Sequence, residues 1–198
     1  MQEADERDPW LVRWMPAILA AAPDGQVLEL GCDTGGDTRV LARHGLAVTG
    51  TDISDEALAK CALAVPGARL LHHDLRDPMP FADESFGVVL ASLCLHYFEW
   101  DATEAIVEEI RRCMKPGGLF LCRLNSTKDV FHGAGAPQEA EGGLRVVNGK
   151  YATLKRFFNE EEVARLFAQG WTRLSCAELT NHRYPEPKVA WEVVMRKH

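Results

Sequence analysis

The sequence has no Cys-x-x-Cys pair, no apolar run long enough to span a bilayer, no basic excess and no tandem repeat or low-complexity tract. Each absence removes a class of answer. The six cysteines, at 32, 61, 94, 113, 122 and 176, are too scattered for a zinc ribbon or a disulfide frame, so reduced and mostly buried thiols are expected. A transmembrane helix needs about 20 consecutive apolar residues, and no such stretch exists. The first residues carry Glu3, Asp5, Glu6 and Asp8 where a secretory signal would be basic, which sets the expected location as the cytoplasm. A net charge of −7 argues against nucleic acid or an anionic membrane as the main partner. With 198 residues and no repeat, the chain reads as one well-buried domain spanning residues 1–198.

What is present is organised around residues 27–38, Val-Leu-Glu-Leu-Gly-Cys-Asp-Thr-Gly-Gly-Asp-Thr. Residues 26–30 form a short apolar run suited to a buried strand. Glycines at 31, 35 and 36 break it, and the chain resumes from Thr38 as a helix. Strand, glycine turn and helix let a backbone approach a nucleotide-bearing ligand closely. About twenty residues on, a second apolar run ends in Asp52, where a carboxylate can hold both ribose hydroxyls. A dinucleotide fingerprint wants glycines at 31, 33 and 36, but position 33 is Asp. Asp tolerates the left-handed conformation better than most residues, so the turn itself is expected to survive.

Glu29, Gly31, Asp33 and Gly35 instead resemble motif I of class I S-adenosylmethionine-dependent methyltransferases, with the middle glycine replaced. Residues 80–89, Pro-Phe-Ala-Asp-Glu-Ser-Phe-Gly-Val-Val, resemble that family's approach to strand four, with Gly87 where Asp is usual. Lys115-Pro116-Gly117-Gly118 resembles its turn into strand five. The resemblance covers residues 10–125 well and the last third by architecture alone. It implies an α/β, Rossmann-like, doubly wound seven-stranded sheet, mostly parallel, closed by a C-terminal antiparallel hairpin. It implies S-adenosylmethionine as cofactor, held by Glu29, Gly31, Cys32, Asp33, Gly35, Asp52, Ile53, Asp74, Leu75 and Ser92. Ile53 would pack on the adenine and Asp74 would meet its amino group. The small size and the strand-four signature look like the compact bacterial branch with tellurite-resistance and thiopurine methyltransferases. A small-molecule acceptor is the reading this likeness implies, and a monomer or homodimer is expected.

Local signals fill in the rest. Residues 1–8 read as a frayed tail and 9–22 as an N-terminal helix, with Trp10 and Trp14 sharing a face at i and i+4. The resemblance makes that helix a lid, with Trp10 near the acceptor. Asp37 or Thr38 can cap the first core helix, and Ser54 the second. His72 and His73 are adjacent in a strand, point to opposite faces and cannot share an ion, so no metal is expected. Residues 103–114 carry the apolar stripe of an amphipathic helix. Residues 125–155 lack the core rhythm and read as an insertion over the active site, with an Asn148-Gly149 hairpin turn. Asn159 and Glu162 have capping-box spacing, and residues 171–177 and 189–195 read as the last two strands.

An activated sulfonium donor needs mainly orientation of its acceptor, which can be worth roughly 7–11 kcal/mol. If the acceptor must lose a proton, His96 is the candidate base beside a structural alternative, and Tyr97 can orient the acceptor or face the sulfonium with its ring. Arg123, Arg145 and Arg183 would rise near the same mouth. Their convergence would favour an acceptor bearing an oxyanion. Two rivals remain at this point: a Rossmann-type oxidoreductase, and a binding or regulatory protein that keeps the fold without turnover.

Overall fold

The computed structural model describes residues 9–135, 144–147, 153–182 and 185–198. Seven strands make one sheet. They are β1 (Gln26–Leu30), β2 (Ala47–Asp52), β3 (Arg69–His72), β4 (Phe86–Ser92), β5 (Met114–Asn125), β8 (Trp171–Asn181) and β9 (Lys188–Lys197), in the order β3-β2-β1-β4-β5-β9-β8. The pairings from β3 through β5 are parallel, and β9 joins β5 and β8 antiparallel. This is the Rossmann-like sheet with a closing hairpin that the sequence implied. A separate antiparallel pair, β6 (Arg145–Val147) and β7 (Thr153–Lys155), lies between β5 and the helix at Glu160–Leu166 in the chain. The expected turn at Asn148-Gly149 lies outside the described residues, as do the tail 1–8 and the loop around Pro137.

The register follows from the apolar pattern. Val27, Val88 and Leu119 stand side by side across β1, β4 and β5 and belong to one core. Their neighbours Leu28, Val89, Phe120 and Met195 form the next row, in the core on the opposite face. A strand buried on both faces reads as a continuous apolar run, which is why β1 and β4 were legible. The first core is covered by α1 (Met15–Ala21) and α2 (Gly36–Arg43), and the second by α4 (Trp100–Cys113) and α5 (Glu160–Leu166). A further helix, α3 (Asp55–Ala64), is capped by Ser54, whose Oγ accepts from the Ala57 N–H. Asn159 and Glu162 form the expected capping box on α5.

Three local expectations need correction. Residues 9–14 form a 3-10 segment, not an α-helix, and the α-helix starts at Met15, where Pro16 fits the first turn without a donor. Neither Asp37 nor Thr38 caps α2. The N-cap is Gly35 at φ 84°, and Thr38 instead donates its hydroxyl to Glu29 Oε2 at 2.6 Å. The fourth helix begins at Trp100, ahead of the expected residue 103.

Gly87 has a packing role. A Cβ there would lie 2.0 Å from the Ala21 carbonyl oxygen, so the end of α1 rests directly on the start of β4. Among the described residues no helix is long and apolar enough to cross a membrane.

Candidate active site

Strand order reverses between β1 and β4, and an open sheet of this kind opens a crevice at the carboxyl ends of those strands. The chain leaves β1 through Gly31 at φ 65°, Asp33 at φ 46° and Gly35 at φ 84°. A Cβ on Gly31 would lie 2.6 Å from the Cys94 Cβ, and one on Gly35 2.8 Å from the Cys61 sulfur, so neither position accepts a side chain. Asp33 adopts the left-handed conformation, and its N–H donates to Asp52 Oδ2 at 2.9 Å. The Ser54 N–H donates to Asp52 Oδ1 at 2.9 Å. Two backbone amides therefore hold the Asp52 carboxylate in one orientation while leaving it lone pairs for a ligand.

Above this turn lies a cavity of about 950 Å³. Every residue named for the cofactor from the resemblance lines it except Gly35, which stands behind the turn against Cys61 while Gly36 lines the wall. Glu29 is buried at its base. Burial, with help from the charges of Asp37 and Asp52, pushes its carboxyl up to about 8, against the opposing hydrogen bond from Thr38. Asp74 is gripped by the Arg76 guanidinium and its backbone N–H, which hold the carboxyl down to about 2. Arg76 was missed in the sequence, although Asp-x-Arg was visible there. His72 bonds Asp55 while His73 lines the cavity, so the two imidazoles do diverge.

The donor fits these residues on three observations. Ile53 is 57% exposed on the cavity wall, a large apolar face that a flat ring would cover. His73 Nε2 is buried with no hydrogen-bond partner among the described residues. Asp33, Asp37, Asp52 and Asp74 give the wall a negative bias that suits a cationic ligand.

Tyr97, Phe98 and Leu144, the last from the segment just before β6, also line the cavity. Tyr97 is 47% exposed. His96 is only 2% exposed and lines neither cavity described here; it sits behind Tyr97 with ring centroids 4.2 Å apart. Burial, and then the nearby Lys188 and Lys155, pull its imidazole well below the usual range. The 3-10 turn at Leu95–Tyr97 turns His96 inward and Tyr97 outward.

Arg123 forms the other wall. Its Nε donates to Ser92 Oγ at 2.9 Å, its Nη2 lies 3.8 Å from Asp37 Oδ2, and its guanidinium stacks 4.5 Å from the centre of the Trp10 ring. Trp10 Nε1 donates to Asp37 Oδ1 at 3.1 Å. Leu93, held at φ 57°, and Arg123 also line a second cavity of about 460 Å³ between the N-terminal segment and the last hairpin. Trp10 and Lys188 line it too. Nothing in the sequence singled out Lys188, whose place depends on the register of β9. Arg183 lies outside the described residues, and Arg145 is placed in β6 by its backbone alone. Among the described residues no group of three or more His, Cys, Asp or Glu is arranged to hold a metal ion.

The doubly wound sheet is similar in fold to solved S-adenosylmethionine-dependent methyltransferases. Residues 28–122, nearly half of the chain, match the methyltransferase domain family. An uncharacterized methyltransferase of Synechocystis sp. is 35% identical over 102 residues, covering 52% of this chain and 48% of its own. The crystal structure of the PH0226 protein from Pyrococcus horikoshii OT3 superposes with a TM-score of 0.78 at 20% identity, covering 100% of this chain and 92% of that one. A 1,6-didemethyltoxoflavin-N1-methyltransferase of Burkholderia thailandensis, solved with 1,6-didemethyltoxoflavin and S-adenosylhomocysteine, gives a TM-score of 0.66 at 20% identity, covering 98% and 88%. The chain spans at most about half the length of the curated relatives it matches.

Proposed function

We propose that this protein transfers the methyl group of S-adenosylmethionine to a small-molecule acceptor by in-line displacement, and that it works in the cytoplasm as a monomer or homodimer. The single observation that carries the reading is Asp52, fixed by the N–H groups of Asp33 and Ser54 on the wall of the larger cavity. Asp52 holds the ribose, Ile53 covers the adenine, and the Gly31–Gly36 turn receives the methionine end. When bound, the donor supplies an activated methyl on a cationic sulfur. The protein's part is to orient the acceptor and exclude water.

Arg123 and Trp10, on the wall shared with the second cavity, orient the acceptor, with Arg183 as a further contact. Tyr97 faces the reacting centre. His96 acts through Tyr97, as a positioning residue, because its buried neutral ring lines neither cavity. The small size and strand-four signature support a place beside the tellurite-resistance and thiopurine branch. An oxidoreductase is disfavoured by the missing glycine at position 33 and by the methyltransferase match of the turn itself.

The test is calorimetric titration of S-adenosylmethionine and S-adenosylhomocysteine into purified protein, repeated with Asp52→Ala. Micromolar binding that disappears in the variant is the expected result. No binding to the intact protein would replace this reading with a non-catalytic one.

A further inference from the structure

We infer that the second cavity is the acceptor's site and takes a small ring-bearing acid, its carboxylate held at the Lys188 ammonium and its nucleophile directed to the Leu93–Arg123 end. The inference rests on the methyl-transfer reading above. It adds a place and a chemical class for the acceptor.

The place follows from what the two cavities share. Leu93 and Arg123 line both, so an occupant of the second cavity abuts the donor's cavity there. The cavity's size, about 460 Å³, suits a small molecule, and Val12, Leu179, Ala190 and Trp10 give it apolar walls for a ring.

The class follows from the donors left over. Lys188 Nζ donates to Asn125 Oδ1 at 2.9 Å and to Asp129 Oδ2 at 2.9 Å, so two of its three N–H groups are used among the described residues. Its side chain is 11% exposed, and the residue lines the cavity. The Lys188 contact also fixes the Asn125 amide, because a flipped amide would set its NH₂ against the ammonium. Asn125 Nδ2 is then buried with no partner among the described residues. The remaining ammonium N–H of Lys188, on a residue that lines the cavity, calls for an acceptor oxygen. The Asn125 amide bonded to that ammonium, though it lines neither cavity, leaves a second buried donor unpaired among the described residues.

The carboxylates nearby do not compete with a ligand acid. Asp129 is fully buried behind Lys188, where it also accepts from the Val189 N–H and contacts His132. Glu192, on the cavity wall, is taken by Arg13 and the Trp14 indole N–H. A charged oxygen makes the stronger bond to an ammonium, which favours a carboxylate over an amide or ketone.

Register sets the length. Asn125 lies two residues beyond Arg123 along β5, roughly 7 Å. An acid anchored beside Asn125 therefore needs one or two rings to bring its far side to Arg123 and Leu93. The carboxylate is the handle, and the methylated atom is elsewhere on the molecule.

The experiment titrates benzoate, 4-hydroxybenzoate, indole-3-carboxylate and 1-naphthoate, each against its primary amide, into the protein with and without S-adenosylhomocysteine. At least one acid is expected to bind about tenfold tighter than its amide. Lys188→Met should erase that preference, and Ala190→Phe, which fills the cavity without touching a charge, should abolish binding of acid and amide alike. In both variants the S-adenosylhomocysteine affinity should stay within about twofold of the parent. Equal binding of every acid and its amide would overturn the inference, as would unchanged acid binding in Ala190→Phe, a result that stands even if Lys188→Met fails to fold. Loss of S-adenosylhomocysteine binding by the intact protein would instead remove the methyl-transfer reading, and the titration without it would then decide the cavity alone.

Discussion

Trp10 donates its indole N–H to Asp37, a residue 27 positions away in the first turn of α2. The bond ties the N-terminal segment to the wall of the larger cavity, and Arg123 stacks on the same indole. At Trp10 the segment is thus held to that wall by one hydrogen bond and one stacked pair. Trp10→Phe keeps a ring for Arg123 and removes the hydrogen bond, worth about 1 kcal/mol. The expected result is an affinity for S-adenosylhomocysteine weaker by about fivefold, with a melting temperature lowered by only a few degrees. Calorimetry and a thermal melt on the same preparation check it.

Gly87 sits where the resembled family carries Asp, yet restoring that Asp should do harm. Its Cβ would lie 2.0 Å from the Ala21 carbonyl oxygen, so α1 must lift from β4 or the strand must shift. Gly87→Asp is expected to lose about 2–4 kcal/mol in urea denaturation, the scale of core overpacking. Gly87→Ala, which adds the same Cβ without a charge, should lose a comparable amount. Near-neutral values for both would mean the α1 contact is not built as described.

What the sequence revealed and what it hid divide along one physical line. The sheet was legible because β1 and β4 are buried on both faces and read as largely apolar runs, the first of them ended by Gly31. The turn after β1 was legible because Gly31 and Gly35 are needed where they stand. Partnerships between distant positions were not. Lys188 meets Asn125 and Asp129 across about sixty residues, a contact fixed only once β9 pairs with β5. Thr38 had the composition of a cap, but the buried Glu29 nine residues earlier claims its hydroxyl. His96 and Tyr97 are neighbours in sequence, and only the 3-10 turn decides which of them faces the cavity.

Glu29 gives the free protein a pH dependence of unusual sign for an acid. Its folded value, about 8, lies above the ordinary 4.5. The folded state therefore binds a proton that the unfolded state has released, so stability falls as pH rises from about 4.5 to about 8 and levels off beyond. The loss is on the order of a few kcal/mol, and Glu29→Gln should flatten the melting temperature across that window. Donor binding should reverse part of the effect. A cationic ligand beside Glu29 favours the carboxylate, so affinity should climb with pH toward 8 with release of a proton. Calorimetry in two buffers of different ionisation heat measures that release. A stability profile in the parent that matches the Gln variant would count against the buried, protonated Glu29.

Asp33 decides between an active turn and a damaged one. A non-glycine residue at φ 46° carries roughly 1 kcal/mol of backbone strain, and Asp is among the side chains that bear it best. Its N–H already holds Asp52, and the residue already lines the cavity. Glycine at this position would adopt the same conformation and make the same backbone bond. Asp33→Gly is therefore expected to raise stability by no more than about 1 kcal/mol, because the glycine's freer unfolded chain offsets part of the relieved strain. Its affinity for S-adenosylmethionine should change by less than about threefold. Asp33→Ala, which keeps the strain and loses the polar side chain, should be less stable than the Gly variant by about 1–2 kcal/mol. An affinity gain of about thirtyfold or more in the Gly variant would instead show that Asp33 obstructs the donor. Such a gain would favour a fold kept for binding or regulation over one kept for turnover.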